Sequence, residues 1–204
     1  MRTSRLEAFS DGVLAIIITI MVLELKVPSG HHVSDLVHTA GTGLLTYLLS
    51  FVYIGIYWSN HHHMFQLVRR ATGGVLWANL ALLFCLSLLP FTTAWMDESR
   101  FAQAPVVTYG LNLLSAAIAY FTLQTVAIRQ QGTDSPLRRA VGTDLKGKIS
   151  PGIYVVGILG ALVINPSSRV GVGIALACFV GGAVMWIVPD RRIDRVVRNS
   201  ETSG

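Results

Sequence analysis

A serine and an aspartate lie inside an apolar segment near the start of the chain. The segment reads RLEAFSDGVLAIIITIMVLELKVP, and apart from Ser10 and Asp11 it has the composition of a membrane-spanning helix. A carboxylate inside a bilayer costs roughly 3 kcal/mol or more, so such groups normally face the protein interior, have polar partners and mark a functional site. The other interpretation is that Ser10 or Asp11 caps a shorter helix by accepting backbone N–H bonds.

Polar partners for these two residues are available in two other apolar segments. His61 lies in the segment YWSNHHHMF, and Trp77 and Asn79 lie in LWANLALLF. In the arrangement of spans given below, these segments meet the membrane surface on the same side as Ser10 and Asp11. We therefore expect these three side chains to hydrogen-bond to the serine and the aspartate. A fully satisfied buried network of this kind specifies one arrangement of helices.

The three consecutive histidines, His61, His62 and His63, also suggest a metal site. Successive side chains on a helix point about 100° apart, so the three rings cannot converge on one ion without other ligands. Apart from Asp11, no carboxylate or cysteine is spaced to help them. We expect no metal and no cofactor, and we expect at least one histidine to be a polar anchor at the membrane interface.

The first segment has a second, apolar face. At about 100° per residue, Asp11 points about 140° away from Ile16, and Ser10 points about 120° away. The residues that share the Ile16 face form a stripe with Thr19 at its edge: Phe9, Gly12, Ile16, Ile20, Leu23 and Val27. Most apolar stripes face lipid or a protein core, and the pattern alone does not separate those roles from a pore wall.

The composition is that of an integral membrane protein. Hydrophobic residues make up 52% of the 204 residues and charged residues 13%, whereas soluble domains carry about 25% charged residues. A spanning helix needs about 20 mostly apolar residues. Six segments meet this requirement and predict an all-α integral membrane protein with six transmembrane helices: residues 6–27, 35–60, 73–96, 104–128, 149–165 and 169–189.

The distribution of basic residues predicts the orientation of these spans. Thirteen of the 16 Lys and Arg residues fall on the side that holds both termini, and the other three are Lys26, Arg100 and Arg169. By the positive-inside rule, both termini are cytoplasmic. We divide the chain into a six-helix transmembrane domain, residues 1–190, and a cytoplasmic C-terminal tail, residues 191–204. The basic residues are scattered among short loops, so we expect no nucleic-acid partner.

Four motifs resemble those of the transmembrane protein 175 family of potassium channels. They are RLEAFSDGVLAIIITIMVLEL, YWSNHHHMF, LWANLALLF and LLPF, and together they cover the first three predicted spans. The chain contains one FSD motif, which is similar to the prokaryotic form with a single six-span unit. The resemblance implies a homotetramer in the cell (plasma) membrane, with the first helix of each subunit lining a central pore.

The resemblance also implies roles for residues on both faces of the first helix. The family's apolar pore constriction matches Ile16, and its threonine layer matches Thr19. Further apolar rings match Ile20 and Leu23. The polar network behind the pore helix matches seven residues: Arg5, Phe9, Ser10, Asp11, His61, Trp77 and Asn79. Like the family, the sequence lacks the TVGYG filter of ordinary potassium channels.

The resulting prediction is a potassium-selective cation channel, not an enzyme. A four-fold ring of Ile16 would be narrow and apolar, so a permeating ion would have to shed much of its water. Because potassium is less strongly hydrated than sodium, such a ring favours potassium without coordinating it. The expected partners are K⁺ and other monovalent cations, the lipid bilayer and further copies of the chain.

Three other interpretations remain open. A proton- or ion-coupled membrane transporter would use Asp11 and the histidines as a relay, although the first three spans lack the broken helix and repeated halves that are typical of transporters. A membrane enzyme or metal-binding protein would be built on the histidine run, but no nucleophile–base pair or ligand set is evident. The third interpretation is a non-conducting scaffold.

Overall fold

The computed structural model describes residues 3–68, 70–132, 135–142, 144–164 and 169–187. Within these ranges the chain is helical and has no strand, which confirms the predicted all-α class. The described residues form eight helices: α1 Thr3–Leu23, α2 Val33–Gln66, α3 Gly73–Ser87, α4 Leu89–Glu98, α5 Gln103–Gln131, α6 Pro136–Val141, α7 Leu145–Val163 and α8 Val170–Ile187. The predicted C-terminal tail lies outside the described residues.

Six of the described segments are long and apolar enough to cross a membrane, as predicted. They are α1, α2, the combined stretch Gly73–Glu98, α5, α7 and α8. The short helix α6 lies between α5 and α7 and was not predicted from the sequence.

The third span is broken at Leu88, where the sequence analysis predicted one continuous helix. Pro90 follows two residues later and has no amide hydrogen, so the helical hydrogen-bond ladder cannot continue through it. The Leu88 amide donates instead to the Cys85 carbonyl over 3.3 Å. As a result, the third span consists of α3 and α4.

Helix α2 is longer than a bilayer requires. Its 34 residues extend over about 51 Å, whereas the hydrocarbon core of a bilayer is about 30 Å thick. The helix continues beyond its predicted end at residue 60, because no Gly or Pro interrupts the segment up to Gln66. The three histidines are therefore held on a rigid helix beside the first turns of α1.

Helix α5 is the centre of the bundle. It packs against α3, α4, α7 and α8, and its residues Val106, Tyr109, Leu113 and Leu123 are fully buried. Helices α7 and α8 approach each other closely through small residues, since a Cβ on Gly171 would lie 2.6 Å from the Gly160 carbonyl oxygen. Small residues at such crossings are typical of helix packing in membranes.

A buried hydrogen-bonded group connects α2, α4 and α5. The Ser50 Oγ lies 2.7 Å from the Thr93 Oγ1 and 3.1 Å from the Tyr109 hydroxyl. All three residues are buried. These bonds hold α4 in place next to the break in the third span, and α4 in turn packs against α1.

Candidate functional site

Helix α1 has one buried face. Its buried residues are Leu6, Ser10, Leu14, Ile17 and Met21. They recur every three or four residues, which places them on one side of the helix. This side packs against α2, α3 and α4, so the rest of the bundle determines which residues α1 presents outward.

The opposite face of α1 exposes large apolar side chains. Ile16 is 59% exposed, Ile20 is 42% exposed and Leu23 is 81% exposed. Phe9 is exposed on the same face. These positions agree with the predicted stripe, except that α1 ends at Leu23, so Val27 lies beyond the helix.

Thr19 adds the one hydroxyl to this face. Its side chain is exposed, and its Oγ1 donates a 2.8 Å hydrogen bond to the Ile16 carbonyl. The hydroxyl proton is therefore held by the helix itself. The lone pairs of the oxygen remain available to accept hydrogen bonds from water or to contact a cation.

Two residues of the stripe, Ile16 and Ile20, form one wall of an open groove of about 670 Å³ together with Val13 and Ile17 of the same helix. The other wall belongs to α4 and includes Phe91 and Trp95. Two carboxylates, Glu24 and Glu98, lie where α1 and α4 end, and the Lys26 ammonium lies 3.5 Å from Glu98. The groove is thus apolar along its length and acidic at one end.

Behind α1, Ser10 belongs to a fully buried chain of hydrogen bonds. Its Oγ donates to the Leu6 carbonyl over 2.9 Å and accepts from the Asn79 Nδ2 over 3.0 Å. The Asn79 Oδ1 lies 2.8 Å from the His61 Nε2. The chain connects α1, α3 and α2, and it brings together three of the predicted network residues.

The network also determines the tautomer of His61. Because the Asn79 Nδ2 donates to Ser10, the Asn79 Oδ1 faces His61, and the His61 Nε2 must carry the hydrogen. The His61 Nδ1 has no hydrogen-bond partner among the described residues. His61 is therefore a hydrogen-bond donor, through its Nε2, within a buried network.

Asp11 has a different partner from the one predicted. Its Oδ1 accepts a 3.0 Å hydrogen bond from the Trp58 indole, whereas Trp77 is 75% exposed. Trp77 and Asn79 are two residues apart on α3, so their side chains point about 200° apart and cannot face the same neighbour. Trp58 precedes His61 by three residues on α2 and therefore shares its face, which is the signal that sequence reasoning missed.

A second contact between α1 and α2 was also missed. The Glu7 Oε1 lies 2.6 Å from the His62 Nδ1, and the His62 ring stacks on Trp58 at a centroid distance of 6.2 Å. The Gln66 amide contacts the other ring nitrogen of His62 at 3.0 Å. Glu7 is one helical turn before Asp11, so both carboxylates lie on the same face of α1.

Arg5 and Phe9 lie apart from this network. Both side chains are exposed, because Arg5 and Phe9 fall within about 20° of Ile16 on the helical wheel and so belong to the outward face. Among the described residues, no group of three or more His, Cys, Asp or Glu side chains could hold a metal ion. The histidine run instead supplies the contacts of His61 and His62 just described.

A sequence model of the family described as "Endosomal/lysosomal potassium channel TMEM175" matches residues 5–90. These residues include α1, α2, α3 and the start of α4. The matched segment therefore contains the exposed stripe and the whole polar network behind it.

Proteins similar to the chain include bacterial and animal relatives. A protein named as a potassium channel from Chryseobacterium sp. (strain P1-3) is 48% identical over 200 residues, which cover 98% of this chain and 100% of the relative. The human "Endosomal/lysosomal proton channel TMEM175" is 37% identical over 113 residues, which cover 50% of this chain and 22% of the human protein.

A similar solved structure is the crystal structure of a lysosomal potassium-selective channel TMEM175 homolog from Chamaesiphon minutus. The TM-score is 0.69 and the sequences are 30% identical. The match covers 90% of this chain and 97% of the other, so the likeness extends over all six spans.

Proposed function

The chain belongs to the TMEM175 family, and from this membership we propose that it is a potassium-selective channel whose narrowest point is a ring of Ile16 side chains. The names of the bacterial relatives support potassium as the permeant ion. The observation that carries the proposal is the exposed stripe of α1. A buried polar network fixes this helix on one face, and its other face presents branched apolar side chains to an open groove.

We further propose that four copies of the chain surround the pore. A groove of this size, lined by isoleucines and aromatic rings, gains stability when the side chains of a second copy fill it, because van der Waals packing drives helix association in membranes. The exposed aromatic residues Trp77, Phe84 and Phe91 supply further apolar area on the neighbouring α3 and α4. Four copies of α1 around one axis would bring the four Ile16 side chains together.

Selectivity in this arrangement comes from dehydration. Helix α1 is continuous from Thr3 to Leu23, so the carbonyl oxygens near Ile16 are engaged in helical hydrogen bonds and cannot form a cage around an ion. Sequence supports the same conclusion, since the chain has no TVGYG segment. A constriction of branched side chains excludes ions that hold their water strongly, and sodium holds its water more strongly than potassium.

The residues around the constriction have supporting roles. The Thr19 oxygens would contact the ion just outside the Ile16 ring, where its water is partly restored. Ile20 and Leu23 would extend the apolar conduit. Glu24 and Glu98 give the end of the groove a negative potential, which raises the local cation concentration.

We assign the end of the channel that bears Glu24 and Glu98 to the outside of the cell. The assignment follows from the positive-inside rule, which places both termini in the cytoplasm, and we propose the plasma membrane as the location. Asp11, Ser10 and their partners would then lie near the cytoplasmic end of α1, where they hold the helix without lining the conduit.

A second candidate function is proton movement. The names of the animal relatives favour it, and a proton- or ion-coupled transporter that uses Asp11 and the histidines would be one form of it. The geometry favours the channel, because Asp11 is bonded to Trp58 and points about 140° away from the Ile16 stripe.

Recordings from the purified full-length chain in planar bilayers distinguish these functions. Discrete unitary currents that reverse near the potassium equilibrium potential in a KCl gradient support the channel. A current that reverses at the proton equilibrium potential, or a saturating flux that needs a counter-ion gradient, supports the second candidate. Absence of both a current and a flux would contradict both.

A further inference from the structure

A partly open cavity of about 40 Å³ lies between α2, α5, α7 and α8 of the subunit. Its walls are largely aromatic and include six rings: Tyr53, Tyr57, Tyr120, Phe121, Tyr154 and Trp186. The described residues that line it come from helices other than α1. The cavity is therefore separate from the groove that we assign to the pore.

Gln124 brings an unsatisfied polar group to this cavity. Its side chain lines the cavity, and the residue is only 6% exposed. The Gln124 Oε1 has no hydrogen-bond partner among the described residues. A buried amide without a partner is costly, and such groups in native proteins are normally satisfied by protein atoms or by ordered water.

Tyr57 provides a donor in the same cavity. The hydroxyls of Tyr53 and Tyr120 are already used, since they donate to the carbonyls of Phe179 and Asn60. Tyr57 also lines the cavity and is buried, and its hydroxyl can donate a hydrogen bond to a molecule in it. A molecule that accepts a hydrogen bond from Tyr57 and donates one to Gln124 would satisfy both side chains.

We propose that this cavity is a hydration site, in which ordered water accepts a hydrogen bond from Tyr57 and donates one to Gln124. One water needs about 10 to 15 Å³ of such space, so the cavity holds about two or three molecules. The water molecules connect α5 to α2 beside the Asn60 carbonyl, one residue before the network histidine.

Radiolytic labelling of tyrosines in the purified full-length protein tests the site. Hydroxyl radicals that form from water inside a cavity oxidise the rings next to it. Tyr154 and Tyr109 are matched in burial, at 2% and 0% exposure, but only Tyr154 lines the cavity. We expect Tyr154 to be labelled severalfold faster than Tyr109. Equally slow labelling would mean that the cavity is dry or filled by a lipid or detergent chain, and would overturn the proposal.

Two substitutions test the polar partners. In the Gln124→Leu variant, labelling of Tyr154 should fall towards the Tyr109 rate, and the melting temperature should not rise, because the lost amide was hydrated. A higher melting temperature would show that the amide was dry and would overturn the proposal. The Tyr57→Phe variant keeps the ring and its packing, so it provides the same labelling test if Gln124→Leu does not fold. If Tyr154 is labelled as fast in both variants as in the wild type, Tyr57 and Gln124 are not the partners of the water. None of these measurements depends on ion flux, so a negative result would contradict the hydration site without contradicting the proposed channel.

Discussion

The Trp58 indole donates a 3.0 Å hydrogen bond to the Asp11 carboxylate, on the side of α1 that points about 140° away from Ile16. The Glu7 carboxylate lies one turn before Asp11 in α1 and contacts the His62 ring. His62 lies one turn after Trp58 in α2. Two contacts with this spacing fix the rotation of α1 about its axis as well as its position. The same contacts therefore determine the direction in which Ile16 points.

Removal of the Asp11 carboxylate should loosen α1. A hydrogen bond to a charged group contributes about 1.5–3 kcal/mol, so we expect the Asp11→Ala variant to melt at a lower temperature and to assemble poorly. Asp11→Asn keeps an acceptor for the Trp58 indole and is the matched control, with a smaller loss. Thermal melting and size-exclusion chromatography in detergent measure both effects. An Asp11→Ala protein that assembles and conducts normally would contradict this role.

Asn79 should be more sensitive to substitution than other buried asparagines. Asn79→Leu leaves the His61 Nε2 without a partner, at a cost of about 1–3 kcal/mol for an unpaired buried group. It also removes the donor to the Ser10 Oγ, which keeps only its bond to the Leu6 carbonyl. Asn112 is also buried but makes a single 3.4 Å bond to Thr92, so Asn112→Leu is the control. We expect the larger fall in melting temperature for Asn79→Leu, and the reverse order would argue against the network.

The Thr19 oxygen should influence conduction without affecting assembly. Thr19→Val removes the oxygen and keeps the shape, so the proposed pore predicts a severalfold lower potassium conductance, while Thr19→Ser keeps the wild-type value. Thr122 in α5 is also an exposed threonine, and it donates to the carbonyl four residues earlier, so Thr122→Val is the matched control. Equal unitary currents for Thr19→Val and the wild type would show that Thr19 does not line the conduit.

Periodicity was sufficient to predict the two faces of α1 and the six spans. The apolar stripe and the pair Ser10 and Asp11 are separated by helix geometry alone, so one correct assignment of helix predicts both faces. Apolar composition does not predict the break at Leu88, because the break depends on the missing amide hydrogen of Pro90. Composition also does not predict the length of α2, because the histidine run ends the apolar segment but not the helix.

The choice of hydrogen-bond partners was less predictable. The depth of Trp77 in the membrane was compatible with a bond to Asp11, but depth does not determine the direction in which a side chain points. Once Asn79 faces α1, the two-residue spacing turns Trp77 outward. The same argument places Arg5 and Phe9 on the exposed face. The contact between Glu7 and His62 depends on the relative register of α1 and α2, which no pattern within one helix provides.

The potassium-to-sodium permeability ratio of the Ile16→Asn variant tests the central claim most directly. Val22 is 44% exposed and points about 120° away from Ile16, so Val22→Asn is the matched control. Reversal potentials of the reconstituted wild type and both variants are measured with potassium on one side of the bilayer and sodium on the other. The account predicts that Ile16→Asn lowers the ratio towards one, while Val22→Asn keeps the wild-type ratio. An unchanged ratio in a conducting Ile16→Asn channel would contradict selection at the Ile16 ring.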